Sequence, residues 1–314
     1  MDGTDTIGWI GAGRMGSAMA ARLLKHGCDV AVYNRTSSKL EALVALGAKP
    51  VEAVSELAAR QVVFVTVASS EDLLGVLDGD GGLLCQEEAP QVIVDCSTVS
   101  LEASARARAL AAERSTVLLA APVSGNAKVV KAGRLTMAVS GPRAAFDSVR
   151  PYLELMSAGA TYVGEGELAR LVKLCHNLML GVVTQSLVEI TVLAEKGGVR
   201  RQDFLEFLND SVMGSTFTRY KSPAIVNLDF APTFTTSLLQ KDLDLGLAAA
   251  RAHNVAMPVA ALVHELVSAA VGEGLGDADF AAILQLEARA SGLELKSENA
   301  VVDDGLGTRT TAGT

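Results

Sequence analysis

The sequence predicts a doubly wound, mainly parallel α/β sheet followed by an all-helical domain, and three observations predict it. A short apolar strand over residues 6–10 runs into Gly11-Ala12-Gly13-Arg14-Met15-Gly16 and then an Ala-rich helix with Met15, Met19 and Leu23 at helical spacing. From there to about residue 165, strand-like and helix-like patterns alternate, as parallel βαβ units require. Beyond Glu165 every long periodic segment is helical.

In the first half, strands are expected at 6–10, 29–33, 62–67, 92–95 and 116–119, with helices between them such as 38–46 and 101–113. Strands at 135–139 and 161–163 extend the sheet around a helix at 144–156. The helix at 167–196 is about 30 residues and so roughly 45 Å long. That is too long for a small globule, so it reads as a connector into a helical domain completed by segments 201–209, 237–253, 259–272 and 279–288. The expected domains are therefore 1–165 and 166–296. The Gly-, Thr- and Asp-rich tail at 297–314 has almost no large apolar residues and is expected to be disordered.

Composition narrows the function. With 314 residues and 49% hydrophobic content, the chain can bury two cores. Its 27 Lys and Arg against 36 Asp and Glu give a formal net charge of −9, and no basic run is interleaved with aromatics, which argues against nucleic acid. Cys28, Cys85, Cys96 and Cys175 lack C-x-x-C spacing and read as small buried thiols of a reducing compartment. The four histidines form no ligand pattern with them, so no metal site is expected. No signal-peptide pattern opens the chain, and Gln185 and Glu189 interrupt its longest apolar stretch. A cytoplasmic protein with no membrane partner is expected.

The strand-glycine-helix order is that of a dinucleotide site. Gly11 permits the tight turn, Gly13 lets backbone approach a pyrophosphate, and Gly16 lets the helix pack closely on its strand, with Ala12, Arg14 and Met15 completing the helix N-terminus that faces the phosphates. An NAD site usually offers an acidic residue about 20 positions later, at the end of the second strand. Here that place holds Asn34-Arg35-Thr36. Arg35 can pair with a 2′-phosphate and no neighbouring carboxylate repels it, so NADP is the expected cofactor. If Arg35 instead stacks on the adenine, NAD is usable too. Val67 and Ala68, where the strand at 62–67 ends, are also placed beside the cofactor.

Ligands of open α/β sheets bind beyond the carboxyl ends of the strands, where four polar features converge. Asp95-Cys96-Ser97-Thr98 ends one strand and Ala121-Pro122-Val123-Ser124-Gly125-Asn126 the next; Lys173 and Asn177 lie one turn apart on the long helix; Lys241-Asp242 opens a later one. Each has a plain structural alternative: Ser97 and Thr98 as caps of the helix at 101, residues 122–126 as ordinary turn chemistry, Lys173 as a solvated lysine. Leu171, Val172, Leu174, Leu178 and Met179 nevertheless run the Lys173 stem through apolar territory, with Asn177 on the same face.

In order and spacing, these motifs together with Gly164-Glu165-Gly166 closely resemble the β-hydroxyacid dehydrogenase family, which includes 3-hydroxyisobutyrate dehydrogenases, tartronate semialdehyde reductases and glyoxylate/succinic semialdehyde reductases. The resemblance covers residues 7 to about 291. It implies a Rossmann domain, an interdomain helix, a helical domain and a homodimer or homotetramer. It also implies roles: Lys173 as catalytic lysine, Asn177 as the asparagine that orients substrate, Ser124 and Gly125 as the carboxylate-binding loop, Lys241 as a second active-site lysine that meets both substrate and cofactor, and Ser97 and Thr98 beside the nicotinamide. The expected reaction is NAD(P)-dependent interconversion of a short 3-hydroxyacid and its aldehyde or keto acid, on a small anionic substrate.

These roles suit the chemistry. Reduction of a carbonyl needs a proton for the developing alkoxide, and a half-buried ammonium, acidified by desolvation, can give one near neutral pH. Asn177 can hold the substrate oxygen and carboxylate, and Lys241 adds positive potential for an anion. The chain also departs from the family pattern. Ala120 and Asn126 stand where the loop commonly has Asp and a second Gly, and His176 where another Asn is usual. Asn126 is expected at the rim, able to recognise an extra polar group. Imine reductases share the architecture but typically have Asp or Tyr in place of the lysine, and non-catalytic relatives have lost it; Lys173 argues against both.

Overall fold

The computed structural model describes residues 6–307. The chain divides into two compact units between Lys173 and Leu174, inside the long helix. The first unit holds, in order, β1 (Ile7–Ile10), α1 (Arg14–Lys25), β2 (Val30–Tyr33), α2 (Glu41–Val44), β3 (Lys49–Pro50), β4 (Val62–Val65), α3 (Ser70–Asp78), β5 (Val92–Asp95) and α4 (Leu101–Glu113). Then follow β6 (Val117–Ala120), β7 (Val123–Ser124), α5 (Ala127–Lys131), β8 (Thr136–Ser140), α6 (Arg143–Met156), β9 (Gly159–Gly164) and the start of α7 (Leu168–Lys196). The helix expected at 38–46 is split into a 3₁₀ turn, Ser37–Leu40, and the short α2.

The strands form one sheet in the order β3-β2-β1-β4-β5-β6-β8-β7, with β9 also on β8. Pairing is parallel from β3 to β6 and antiparallel where β8 meets β6 and β7. The expected doubly wound sheet is therefore present. Its central strands are buried on both faces, which is why β1 and β4 read as unbroken apolar runs and β5 as one that stops at Asp95. Alternation sends Trp9, Val32, Phe64 and Val94 to one face, against Met19 and Leu23 of α1 and Phe146 and Leu153 of α6. Ile10, Val65 and Ile93 point the other way, onto Leu73 and Leu77 of α3 and Ala107 and Ala111 of α4. Each such large apolar side chain contributes about 1.5–3 kcal/mol on burial.

The second unit is helical: the remainder of α7, then α8 (Arg201–Asp210), α9 (Thr216–Asn227), α10 (Thr236–Ala252), α11 (Pro258–Ala270) and α12 (Ile283–Ala290). The segment expected as one helix at 279–288 begins with a 3₁₀ turn, Phe280–Ala282. By length and hydropathy alone, α7 and Pro258–Leu275 could cross a bilayer. In α7 that apolar character serves packing: Leu187, Val188 and Val192 meet Leu205, Ile225 and Leu284, while Leu178 meets Leu239, Leu243 and Val263. Glycines let α7 and α10 approach: a Cβ on Gly246 would fall 2.6 Å from Leu178 Cγ, and one on Gly181 2.9 Å from Leu243 Cδ2.

The tail corrects the composition-based expectation. Residues 297–307 are not disordered but lie against the helical unit, where the Glu298 carboxylate accepts from the Arg201 and Gln202 amides and Asn227 exchanges two hydrogen bonds with the Ala300 backbone. Residues 308–314 of that tail lie outside the described residues.

Candidate active site

Beyond the carboxyl ends of β1, β2 and β4 lies a cleft of about 250 Å³, and its lining includes Gly11, Gly13, Asn34, Arg35, Thr36, Val67 and Ala68. The glycine loop has the steric shape its sequence implies. At Gly11, φ is +96° and a Cβ would fall 2.0 Å from the Thr66 carbonyl oxygen; a Cβ on Gly16 would fall 2.0 Å from the Gly11 oxygen. Nothing lies within 4 Å of a Cβ on Gly13, so that backbone faces open space. Gly13 is the N-cap of α1 and no side chain caps the helix, leaving its first-turn amides for an anion. Ala12 is buried, Arg14 exposed and Met15 half-buried in the first turn. This cradle fits a dinucleotide pyrophosphate.

Asn34 is occupied within the fold. Its Oδ1 accepts from the Ala12 amide at 2.8 Å and its Nδ2 donates to the Thr36 carbonyl at 2.8 Å, tying the glycine loop to the β2 turn. Arg35 and Thr36 are exposed beside it. The expectation that no carboxylate neighbours Arg35 is corrected: Asp72 of α3 also lines the cleft, with Oδ1 3.6 Å from Arg35 Nη1. Lys39 lines it as well. Sequence reading missed both: only the fold brings Asp72 of α3 to β2, whereas Lys39 lies in the Ser37–Leu40 turn directly after it.

Ser97 does not present its hydroxyl to the cleft. It is buried, and its Oγ accepts from the Val67 amide at 2.9 Å, joining the ends of β4 and β5. Nor does it cap α4, which Ser100 caps by accepting from the Ala103 amide. Thr98 is half-buried beside it. The Ser97 segment is held by Arg170, in the first turn of α7 and 1% exposed. Its guanidinium donates to the Ser97 carbonyl at 2.5 Å, the Ser104 hydroxyl at 3.1 Å, the Asp95 carbonyl at 3.2 Å and the Asp95 carboxylate. Burial raises the pKa of the neighbouring Cys96 thiol, with the Asp95 charge adding to the rise, so it stays protonated. Cys28 is half-buried, whereas Cys85 and Cys175 are exposed, so the reading of all four as buried thiols holds only in part.

After β6, the two-residue strand β7 ends in Ser124, half-buried, before Gly125 at φ +133°. Asn126 is corrected from rim residue to helix cap: it is buried, and its Oδ1 accepts from the Lys128 and Val129 amides at the start of α5.

On α7, Lys173 is half-buried and Asn177 buried, one turn later. The Asn177 Nδ2 donates to Asp242 Oδ2 at 2.5 Å, and His176 Nδ1 lies 2.9 Å from its Oδ1. Asp242 is 2% exposed and its Oδ1 lies 3.2 Å from Lys241 Nζ. The Lys241-Asp242 pair therefore fixes the Asn177 amide, whose Nδ2 has a second N–H beyond the one Asp242 takes. The close crossing at Gly181 and Gly246 is what brings α10 within reach.

Residues 6–164 match the family described as the NAD binding domain of 6-phosphogluconate dehydrogenase, and residues 167–287 that described as NAD-binding of NADP-dependent 3-hydroxyisobutyrate dehydrogenase. The chain belongs to the β-hydroxyacid dehydrogenase family. β-Hydroxyacid dehydrogenases are NAD(P)-dependent oxidoreductases, and the match spans both units. Similar members of known name include glyoxylate/succinic semialdehyde reductase 2 of Arabidopsis thaliana, 32% identical over 90% of this chain and 79% of that one. Another is 2-(hydroxymethyl)glutarate dehydrogenase of Eubacterium barkeri, 32% identical over 94% of this chain and 99% of that one. Among solved structures, 3-hydroxyisobutyrate dehydrogenase of Mycobacterium tuberculosis with L-serine superposes with a TM-score of 0.77 at 26% identity, covering 90% and 99% of the two chains.

Proposed function

We propose that this chain interconverts a short 3-hydroxyacid and its aldehyde or keto acid, uses NADP in preference to NAD, and employs Lys173 as general acid and base. The observation that carries the reading is the α7 pair: a half-buried Lys173 one turn from an Asn177 whose amide is fixed by buried Asp242. The relatives' names, which speak of semialdehydes and hydroxyacids, support the substrate class.

The glycine loop, the α1 amides and the Asn34–Thr36 turn would hold the dinucleotide, which when bound would supply or accept the hydride. Lys173 gives the alkoxide its proton in reduction and removes it in oxidation. The second N–H of Asn177 orients the substrate oxygen. Ser124 and the Gly125 amide hold the substrate carboxylate, and the Lys241 ammonium adds positive potential. The decisive assay is a panel of short aldehyde acids and hydroxyacids with both cofactors, one cyclic imine included. Turnover of the imine alone would replace this reading by imine reduction.

Two expected results refine it. Ser124→Ala should raise KM for a carboxylate substrate about 10- to 100-fold, the ~1.5–3 kcal/mol of one lost hydrogen bond to a charged group, and lower kcat less. An unchanged KM leaves Ser124 only a turn residue. For the cofactor, Arg35 is highly exposed, so its pairing with a 2′-phosphate is screened and the NADPH preference over NADH should be about tenfold. Arg35→Ala should remove most of it in dissociation constants. A wild type that binds both cofactors equally would rule out the NADP assignment.

A further inference from the structure

The turn after β2 and the first turn of α3 meet at one side of the cleft, where Arg35 and Asp72 are paired. The carboxylate is held on its own helix. Ser69 caps α3 by accepting from the Asp72 amide at 3.0 Å, and its hydroxyl donates back to Asp72 Oδ2 at 2.9 Å. That bond fixes Oδ2 and leaves Oδ1 directed at Arg35 Nη1, 3.6 Å away. Arg35 is 88% exposed and Asp72 35%, so the pair is weak enough for a ligand to break. Asp72 itself cannot move far, because its helix cap holds it.

A dinucleotide with a 2′-phosphate therefore meets two cations, Arg35 and Lys39, and one fixed anion. It must take the guanidinium from Asp72 and then sit near the carboxylate left behind. A dinucleotide with free ribose hydroxyls meets no such repulsion, and a carboxylate can accept its hydroxyl hydrogens. One side chain thus opposes one cofactor and tolerates the other. We propose that Asp72 sets the margin by which the cleft discriminates NADPH from NADH, by competing with the 2′-phosphate for the Arg35 guanidinium. This rests on the assignment of Arg35 as the phosphate partner made above.

The test is equilibrium binding of NADPH and of NADH to the full chain without substrate, followed by nucleotide fluorescence. Asp72→Asn removes the charge while its side-chain oxygen can still accept from Ser69. It should tighten NADPH by about 3- to 10-fold, the scale of one unit charge a few ångströms away in a partly solvated cleft, and leave NADH within about twofold or weaker. In an Arg35→Ala background the same change should give less than about twofold, because the competition has lost its object. An unaltered NADPH constant in Asp72→Asn, an equal gain for NADH, or a full gain that survives Arg35→Ala would each overturn the proposal. Arg35→Ala alone separates the two readings. An unchanged NADPH to NADH ratio there removes the cofactor assignment, whereas a lowered ratio beside an inert Asp72→Asn removes only the role of Asp72.

Discussion

Lys173→Ala should lower turnover by about 10²- to 10⁴-fold, the range typical of a lost general acid or base, while the NADPH dissociation constant stays within about twofold. The split follows from position. Cofactor contacts are assigned to the glycine loop and the β2 turn, whereas Lys173 lies on α7, one turn before the fixed amide of Asn177. Lys173→Arg makes the test sharper. A guanidinium keeps the positive charge but does not release its proton near neutrality, so an acid/base role predicts that it is nearly as slow as alanine. A role in charge stabilisation alone predicts substantial recovery. Turnover of Lys173→Ala within threefold of wild type would remove the lysine from the mechanism.

The parts of the fold that were legible in the sequence are those where sterics or periodicity leave few choices. Gly11 and Gly16 each stand where a Cβ would collide with backbone, so the strand-loop-helix order could hardly mean anything else. The buried strands β1, β4 and β5 announce themselves by apolar runs, and α4 runs over the expected residues. Helix α9 was hidden by Pro223 in its interior, although Ser215 and Thr218 form a capping box that marks its start. Helix α3 was hidden by its shortness and Gly75. The tail misled because composition counts apolar residues, whereas residues 297–307 are anchored by hydrogen bonds of Glu298 and the Ala300 backbone and by Ala300 and Val302 set against the helical core.

The site divides the same way. Lys173 and Asn177 are visible because four-residue spacing on a helix is a local property. Asn126 and Ser97 were read by type and motif, yet one caps α5 and the other ties β4 to β5, roles that depend on which amide lies nearby. Asp72 and Arg170 are active only through long-range contact: nothing local marks Asp72 as the neighbour of Arg35, and Arg170 meets a carboxylate 75 positions away.

Arg170 carries the largest expected effect on stability. It and Asp95 are buried at 1% and 0% exposure, and the guanidinium also binds two carbonyls and the Ser104 hydroxyl. Arg170→Met removes all of these at once and leaves the Asp95 carboxylate in the interior, with the Ser97 amide still donating to its Oδ1. Breaking one side of such a pair costs about 3–5 kcal/mol, because a charge is left buried without its counter-ion. Neutralising both partners, as Arg170→Met with Asp95→Asn, should recover part of that loss, since the uncompensated charge is gone while the amide side chain still accepts from Ser97. Denaturant unfolding of Arg170→Met, Asp95→Asn and the double variant against wild type measures the coupling directly. Because the same guanidinium pins the Ser97 carbonyl to the turn that precedes Lys173, the single variant should also lower kcat at temperatures where it remains folded. A loss below about 1 kcal/mol in Arg170→Met, or a double variant less stable than the single ones combined, would mean that the strand end and the helix start are held together by packing rather than by this ion pair.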